Sequence, residues 1–247
     1  MRGSLQDNMA AAADAYLAWW ALAGVDCAVA EQPGSWLRVA DGPRAPFPAP
    51  ADMGTPAARD KPATLDLFRA SLATDAQPEA RWPGPLILPQ GGTDAPLMVV
   101  VDMPDPADMT AGALLADGPE HRAGLLFDAM LCAIGLARGD IHLASLFLAR
   151  PPGGMVEATD LTAAVDRMRV HVALARPRRL LLLGDRTGRA LLPANDAGGA
   201  QGLRIFNHDG GTVPAVATFH PRLLLTQPAA KAECWRSLQC LIEEDRQ

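Results

Sequence analysis

Four short stretches gather the side chains most able to do chemistry: "VDMPDPAD" at 101–108, "ARPPGG" at 149–154, "GDRTG" at 184–188 and "FHPRLLL" at 219–225. The chain has five histidines, and one of them, His220, stands where an apolar run ends, locked by Pro221 and followed by three leucines. A proline fixes its own backbone and holds the residue before it extended, so His220 and Arg150 are aimed in set directions. A histidine so placed can serve a ligand or be a satisfied structural residue. Asp102, Asp105 and Asp108 can line a site, or they can cap the helix or loop that follows, as aspartates near helix starts do. Arg150, Arg186, Arg189 and Arg222 can hold phosphates through their planar forks, although arginines are also ordinary solvated surface.

The sequence excludes several other chemistries. No Walker loop, G-x-G-x-x-G or G-x-S-x-G occurs, which disfavours a nucleotide-binding enzyme or small-molecule hydrolase, and "LLGDRTG" alone is too loose to mark a phosphate loop. Cys27, Cys132, Cys234 and Cys240 form no C-x-x-C pair and sit beside no histidine at ligand spacing, so free thiols are expected and no metal site.

These residues need a scaffold. With 247 residues, 49% of them apolar, the chain can build a sizeable core. No apolar run reaches the roughly 18 residues of a membrane span and no signal-peptide pattern opens the chain, so a soluble, cytoplasmic protein with no membrane partner is expected. The formal charge of -6 is uneven: residues 1–119 carry 7 Lys and Arg against 15 Asp and Glu, residues 120–247 carry 15 against 13. An acidic chain is poorly suited to tight non-specific DNA binding, which comes from cations on phosphates. Twenty of the 22 basic residues are arginines, which keeps phosphate contact by a few placed side chains open.

Residues 8–23 read as an alanine-rich helix stopped by Gly24, 41–56 as a proline-rich linker, and "ATLDLFRASLATDA" (63–76) as a second helix before another Pro/Gly passage at 82–96. From residue 97 four short apolar runs, 97–103, 141–148, 179–185 and 213–220, alternate with helix-like connections. Such runs suit strands buried on both faces. The expected fold is α/β: a three-layer α/β/α sandwich with a central four-stranded, mainly parallel sheet and an N-terminal helical extension. The corresponding segments are 1–40 (helical), 41–96 (linker with a helix) and 97–247 (the α/β domain). Ligands of such sheets bind at the carboxyl ends of strands, where the four stretches fall.

From about residue 97 to the C-terminus the chain resembles the uracil-DNA glycosylase superfamily, and within it the iron–sulfur branch called family 4. "RAGLLFDAMLCAIGL" and "HPRLLLTQPAAK" carry the resemblance. It implies that His220 hydrogen-bonds a base flipped out of DNA and stabilises the charge growing on its O2, that Pro221 fixes the loop, and that Leu224 and Leu225 form a wedge entering the duplex. Asp102 then stands for the family's glutamate, one carbon shorter, able to orient a water or steady the sugar cation.

The match also breaks at particular residues. The family's first exit, G-E-A-P-G, is here Val101-Asp102-Met103-Pro104-Asp105, with Met103 at the base and a negative charge at Asp105. Pro119 falls where a phenylalanine stacks on uracil, and Ser145 where an asparagine reads the base, which weakens discrimination. Ala149 and Ala164 replace cluster cysteines, and no cysteine lies between Cys27 and Cys132, so no iron–sulfur cluster is expected. Arg150 and Arg222 join Leu224 and Leu225 as expected DNA contacts. The resulting expectation is a monomeric glycosylase-like repair protein acting on uracil or another damaged base in DNA; the alternative is a non-catalytic relative that binds DNA or a repair partner.

Overall fold

The computed structural model describes residues 62–74, 77–192 and 202–243, all within a compact unit spanning Ala57–Gln247. The helix expected over 8–23, the linker over 41–56 and Cys27 lie outside the described residues.

The sheet is built from β1 (Leu97–Val101), β2 (Ile141–Ser145), β3 (Leu180–Leu183), β4 (Arg204–His208) and β5 (Gly211–Thr218), in the order β2-β1-β3-β5-β4. All neighbours are parallel except β4, which runs antiparallel to β5. The sheet therefore has five strands, not the four expected from the sequence. The fifth escaped notice because "RIFNH" has no apolar run: it is an edge strand on which only Phe206 is buried, returned to β5 through the two residues Asp209-Gly210. An Asp-Gly pair at that spacing is a hairpin signal. Pro214 is tolerated within β5 because it precedes Ala215, where pairing with β3 begins.

Seven helices are described: α1 (Leu65–Leu72), α2 (Pro106–Ala111), α3 (Arg122–Ala133), α4 (Ala158–Ala175), α5 (Asp185–Leu191), α6 (Pro221–Thr226) and α7 (Lys231–Glu243). Alternation along the strands divides the core. Met98, Val100, Leu180, Leu182 and Ala215 pack with Phe68, Met168 and Val172 of α1 and α4. Leu97, Val99, Val101, Leu181 and Val216 pack with Phe127, Leu131, Leu224 and Leu238 of α3, α6 and α7. Truncating a fully buried side chain such as Phe127 costs about 3–5 kcal/mol.

Residues 62–96, expected as part of a linker, lie against this core. Thr64 caps α1 by accepting from Leu67 N–H (3.3 Å), and Leu65, Phe68 and Leu72 bury its inner face. Gln90 exchanges backbone hydrogen bonds with Leu143, and Ile87 N–H donates to Leu148 O (2.7 Å), which covers the outer edge of β2. Glu79, 1% exposed, accepts both nitrogens of Arg167 on α4 and the N–H of Leu148 (3.4 Å), while Arg167 also donates to Leu146 O (2.8 Å). Burial pushes the Glu79 carboxyl up, but Arg167 outweighs it and holds the group below its ordinary value.

Among the described residues no helix is long and apolar enough to cross a membrane.

Candidate active site

The strands end earlier than their apolar runs, and this places the reactive types in loops at one rim. Asp102 leaves β1, Gly184 to Arg186 leave β3, and His220 follows β5; all line one cleft of about 250 Å³. It lies where the chain order reverses, with β2 on one side of β1 and β3 on the other. Met103, Asp105, Arg150, Gly154 and Arg222 complete most of its wall.

The three aspartates divide the roles left open by the sequence. Asp108 is structural: its carboxylate accepts from the N–H of Asp105 (3.0 Å) and of Ala116 (3.2 Å), tying down both ends of α2 and its exit. Asp105 accepts from the Arg222 guanidinium and lies 3.7 Å from that of Arg150, so its charge is balanced by two cations at the rim. Asp102 faces the cleft: Oδ2 accepts from Arg186 Nη1 (3.0 Å), whereas Oδ1 is buried with no hydrogen-bond partner among the described residues. Burial raises the Asp102 carboxyl above its ordinary range, against the opposing charges of Arg186, Arg150 and Arg222.

His220 is the N-cap of α6, and its Nδ1 accepts from Arg222 N–H (3.2 Å). A neutral ring that accepts at Nδ1 carries its proton on Nε2, so the free nitrogen is a donor. Burial, and after it the Arg222 charge, lower the His220 pKa to about 4, with Asp108 opposing. The ring is therefore neutral near pH 7. Pro221 occupies the first turn of α6, where its missing N–H loses no bond.

Other expected contacts are placed differently. Leu224 is 2% exposed in the core beside α3 and cannot be a wedge, because each third or fourth residue of so short a helix on the sheet must turn inward; Leu225 is half-buried. Ser145 is 4% exposed, does not line the cleft, and its hydroxyl has no partner among the described residues. Pro119 sits on an exposed turn, and its neighbours Glu120 and His121 line a separate cavity of about 330 Å³ that shares Asp105 and Arg222 with the cleft. Among the described residues no aromatic ring other than the His220 imidazole lines the cleft. Gly124 explains the "RAG" motif: a Cβ there would lie 1.9 Å from Ala116 O, so only glycine lets α3 pass the loop after α2. Arg186, read from the sequence only as a rim cation, is the partner of Asp102; the signal was its place in "GDRTG" at a strand exit.

The residues at the cluster positions do not suit an iron–sulfur group. Ala149 and Ala164 are 0% and 2% exposed and offer no donor, while Cys132, Cys234 and Cys240 lie on α3 and α7, across the sheet from α4. Among the described residues no group of three or more His, Cys, Asp or Glu is placed to hold a metal.

Comparison with known proteins gives the family. Residues 88–239, more than half of the chain, match the family model described as the uracil DNA glycosylase superfamily. A Type-4 uracil-DNA glycosylase of Pyrobaculum aerophilum is 25% identical over 149 residues, covering 58% of this chain and 74% of that protein.

Proposed function

This chain belongs to the uracil DNA glycosylase superfamily, and we propose that it hydrolyses the N-glycosidic bond of uracil or another damaged base in DNA, as a monomer and without an iron–sulfur cluster. The observation that carries this reading is that one cleft is lined by both a neutral His220, whose Nδ1 accepts from Arg222 N–H so that its proton sits on Nε2, and an Asp102 carboxylate held at Oδ2 by Arg186.

Bond cleavage leaves the electron pair on the base nitrogen and a cation on the sugar. His220 donates to the base oxygen on which the negative charge spreads, a role in which a neutral ring suffices because a donor is needed and no proton need be transferred. Asp102, held by Arg186, faces the cationic sugar carbon and accepts from the attacking water. That water's oxygen bonds the sugar carbon and its proton goes to Asp102 or solvent; the released base takes up a proton in turn. Arg150 and Arg222 supply phosphate contacts by exchanging Asp105 for the DNA backbone. The wall without an aromatic ring, and Ser145 outside it, favour weak selection among bases.

The same missing stacking surface supports a second reading, a DNA-binding relative without catalysis. Single-turnover assays with protein in excess over oligonucleotides carrying uracil, hypoxanthine or xanthine decide between them. Product from one lesion, reduced about a hundredfold by His220→Ala, is expected; absence of product with folded, DNA-bound protein would overturn the catalytic reading.

A further inference from the structure

A base that leaves a duplex leaves a gap to be filled or propped, and on α6 Leu224 is 2% exposed and Leu223 and Leu225 are half-buried. The most exposed large apolar side chain among the described residues is Met155, at 82%. It directly follows Gly154, which lines the cleft and whose carbonyl accepts from Arg186 Nη2 (3.4 Å). We infer that Met155 is the apolar side chain that enters the base stack beside the cleft, an inference that rests on the reading of this chain as a protein acting on DNA.

The loop is made to present that side chain. Pro151 is buried and Pro152 and Gly153 are exposed, so the chain leaves the core stiffly and turns at its tip. Gly153 and Gly154 both have positive φ (66° and 71°), a reversal costly to residues with a Cβ. Met155 then resumes an extended backbone (φ −86°, ψ 129°), and Val156 packs on the core behind it, anchoring the return. The guanidinium groups of Arg150 and Arg186 both adjoin Gly154 of the same loop, so cations that can meet phosphates lie next to the residue that precedes the methionine. An unbranched thioether adapts to an irregular gap, and methionine is among the side chains that wedge between base steps. The other exposed large apolar residues, Leu67 on α1, Leu125 on α3, Ile205 on β4 and Trp235 on α7, line neither the cleft nor its neighbouring cavity, although Leu125 follows Gly124 of that cavity's wall.

The test uses the full chain and Met155→Ala, in excess over a duplex carrying the fluorescent base aminopurine next to a uracil, with Met155→Leu as the conservative control. Unstacking raises the fluorescence. The unmodified chain and Met155→Leu are expected to raise it, and Met155→Ala to need about tenfold more protein for the same rise, while all three bind the single-stranded oligonucleotide alike. An equal rise with Met155→Ala, or duplex binding by the unmodified chain without any rise, would overturn the wedge alone. No binding of either strand form would overturn the DNA reading beneath it.

Discussion

The rim of this sheet holds two regions that have diverged from the resembled family in opposite ways. Where β2 leaves toward α4, the positions expected to carry cluster cysteines are Ala149 and Ala164, and the surroundings are closed: Glu79, Arg167, Leu146 O and Leu148 N–H satisfy one another, and the Trp82 and Phe147 rings meet at 5.8 Å, tilted by 51°. Where β1, β3 and β5 end, the replacements leave an open polar cleft lined by Asp102, Arg186 and His220, and the buried Oδ1 of Asp102 has no hydrogen-bond partner among the described residues. Buried polar groups that are fully paired rigidify a fold, whereas unpaired ones signal strain, water or a ligand. The first region is thus closed by mutually satisfied polar groups, and the second is the one where the proposed chemistry would take place.

The sharpest way to break that contrast is to unpair the closed region. Arg167→Met leaves the Glu79 carboxylate buried without its counter-charge, and should lower unfolding stability by about 3–5 kcal/mol in denaturant titrations. Adding Glu79→Gln should recover part of the loss. If the single variant is as stable as the parent, the pair is not the clamp on the β2 exit.

In the open region the corresponding change should spare stability and remove activity. Asp102→Asn keeps the shape but removes the charge facing the sugar, so single-turnover cleavage should fall about a hundredfold, the lower end for an acid or base in place. With the parent protein, activity should drop as pH falls through the Asp102 ionisation, at a pH above the ordinary carboxylate value of 3.8, because burial raises it. His220, with a pKa lowered to about 4, is neutral near pH 7 and adds no limb near neutrality. The same acid limb surviving in the residual activity of Asp102→Asn would point to a different titrating group.

A third test concerns stability alone. His142 and His171 are buried on β2 and α4, Nε2 to Nε2 at 2.9 Å, with His142 Nδ1 donating to Gly92 O (2.9 Å). Burial lowers both pKa values, with nearby Arg69 and Arg167 adding to the effect on His171. In the unfolded chain they take protons near pH 6.5, in the folded chain only at lower pH, so the unfolded state binds more protons and stability falls as pH drops below about 6.5. His220 contributes in the same sense down to about 4. Replacing His171 by phenylalanine should flatten the slope measured by thermal melts between those limits.

Much of this rim was legible in the sequence because buried parallel strands announce themselves as apolar runs and prolines mark their exits. His220 and Asp102 were found that way, and both line the cleft. What was not legible depends on which way a side chain turns. Leu224 and Leu225 are chemically alike and adjacent, yet only the path of α6 over the sheet decides that the former is buried. Arg186 became the partner of Asp102 through a contact across 84 residues of chain, which no local spacing encodes. β4 was hidden because an edge strand need bury only one side chain.

The smallest expected effect falls on Ser145, where the two regions meet. As the partner of Val101 in the ladder, it shares the face of the sheet that packs on α3, while Asp102, one residue on, turns the other way. Its hydroxyl is buried yet outside the cleft wall. Restoring the family's amide with Ser145→Asn should therefore leave the relative cleavage of uracil and hypoxanthine unchanged, and only lower stability, by about 1–3 kcal/mol, through overpacking. A gain in uracil preference would mean that the base reaches past Met103 to the end of β2, and that the cleft opens further on DNA than the free protein shows.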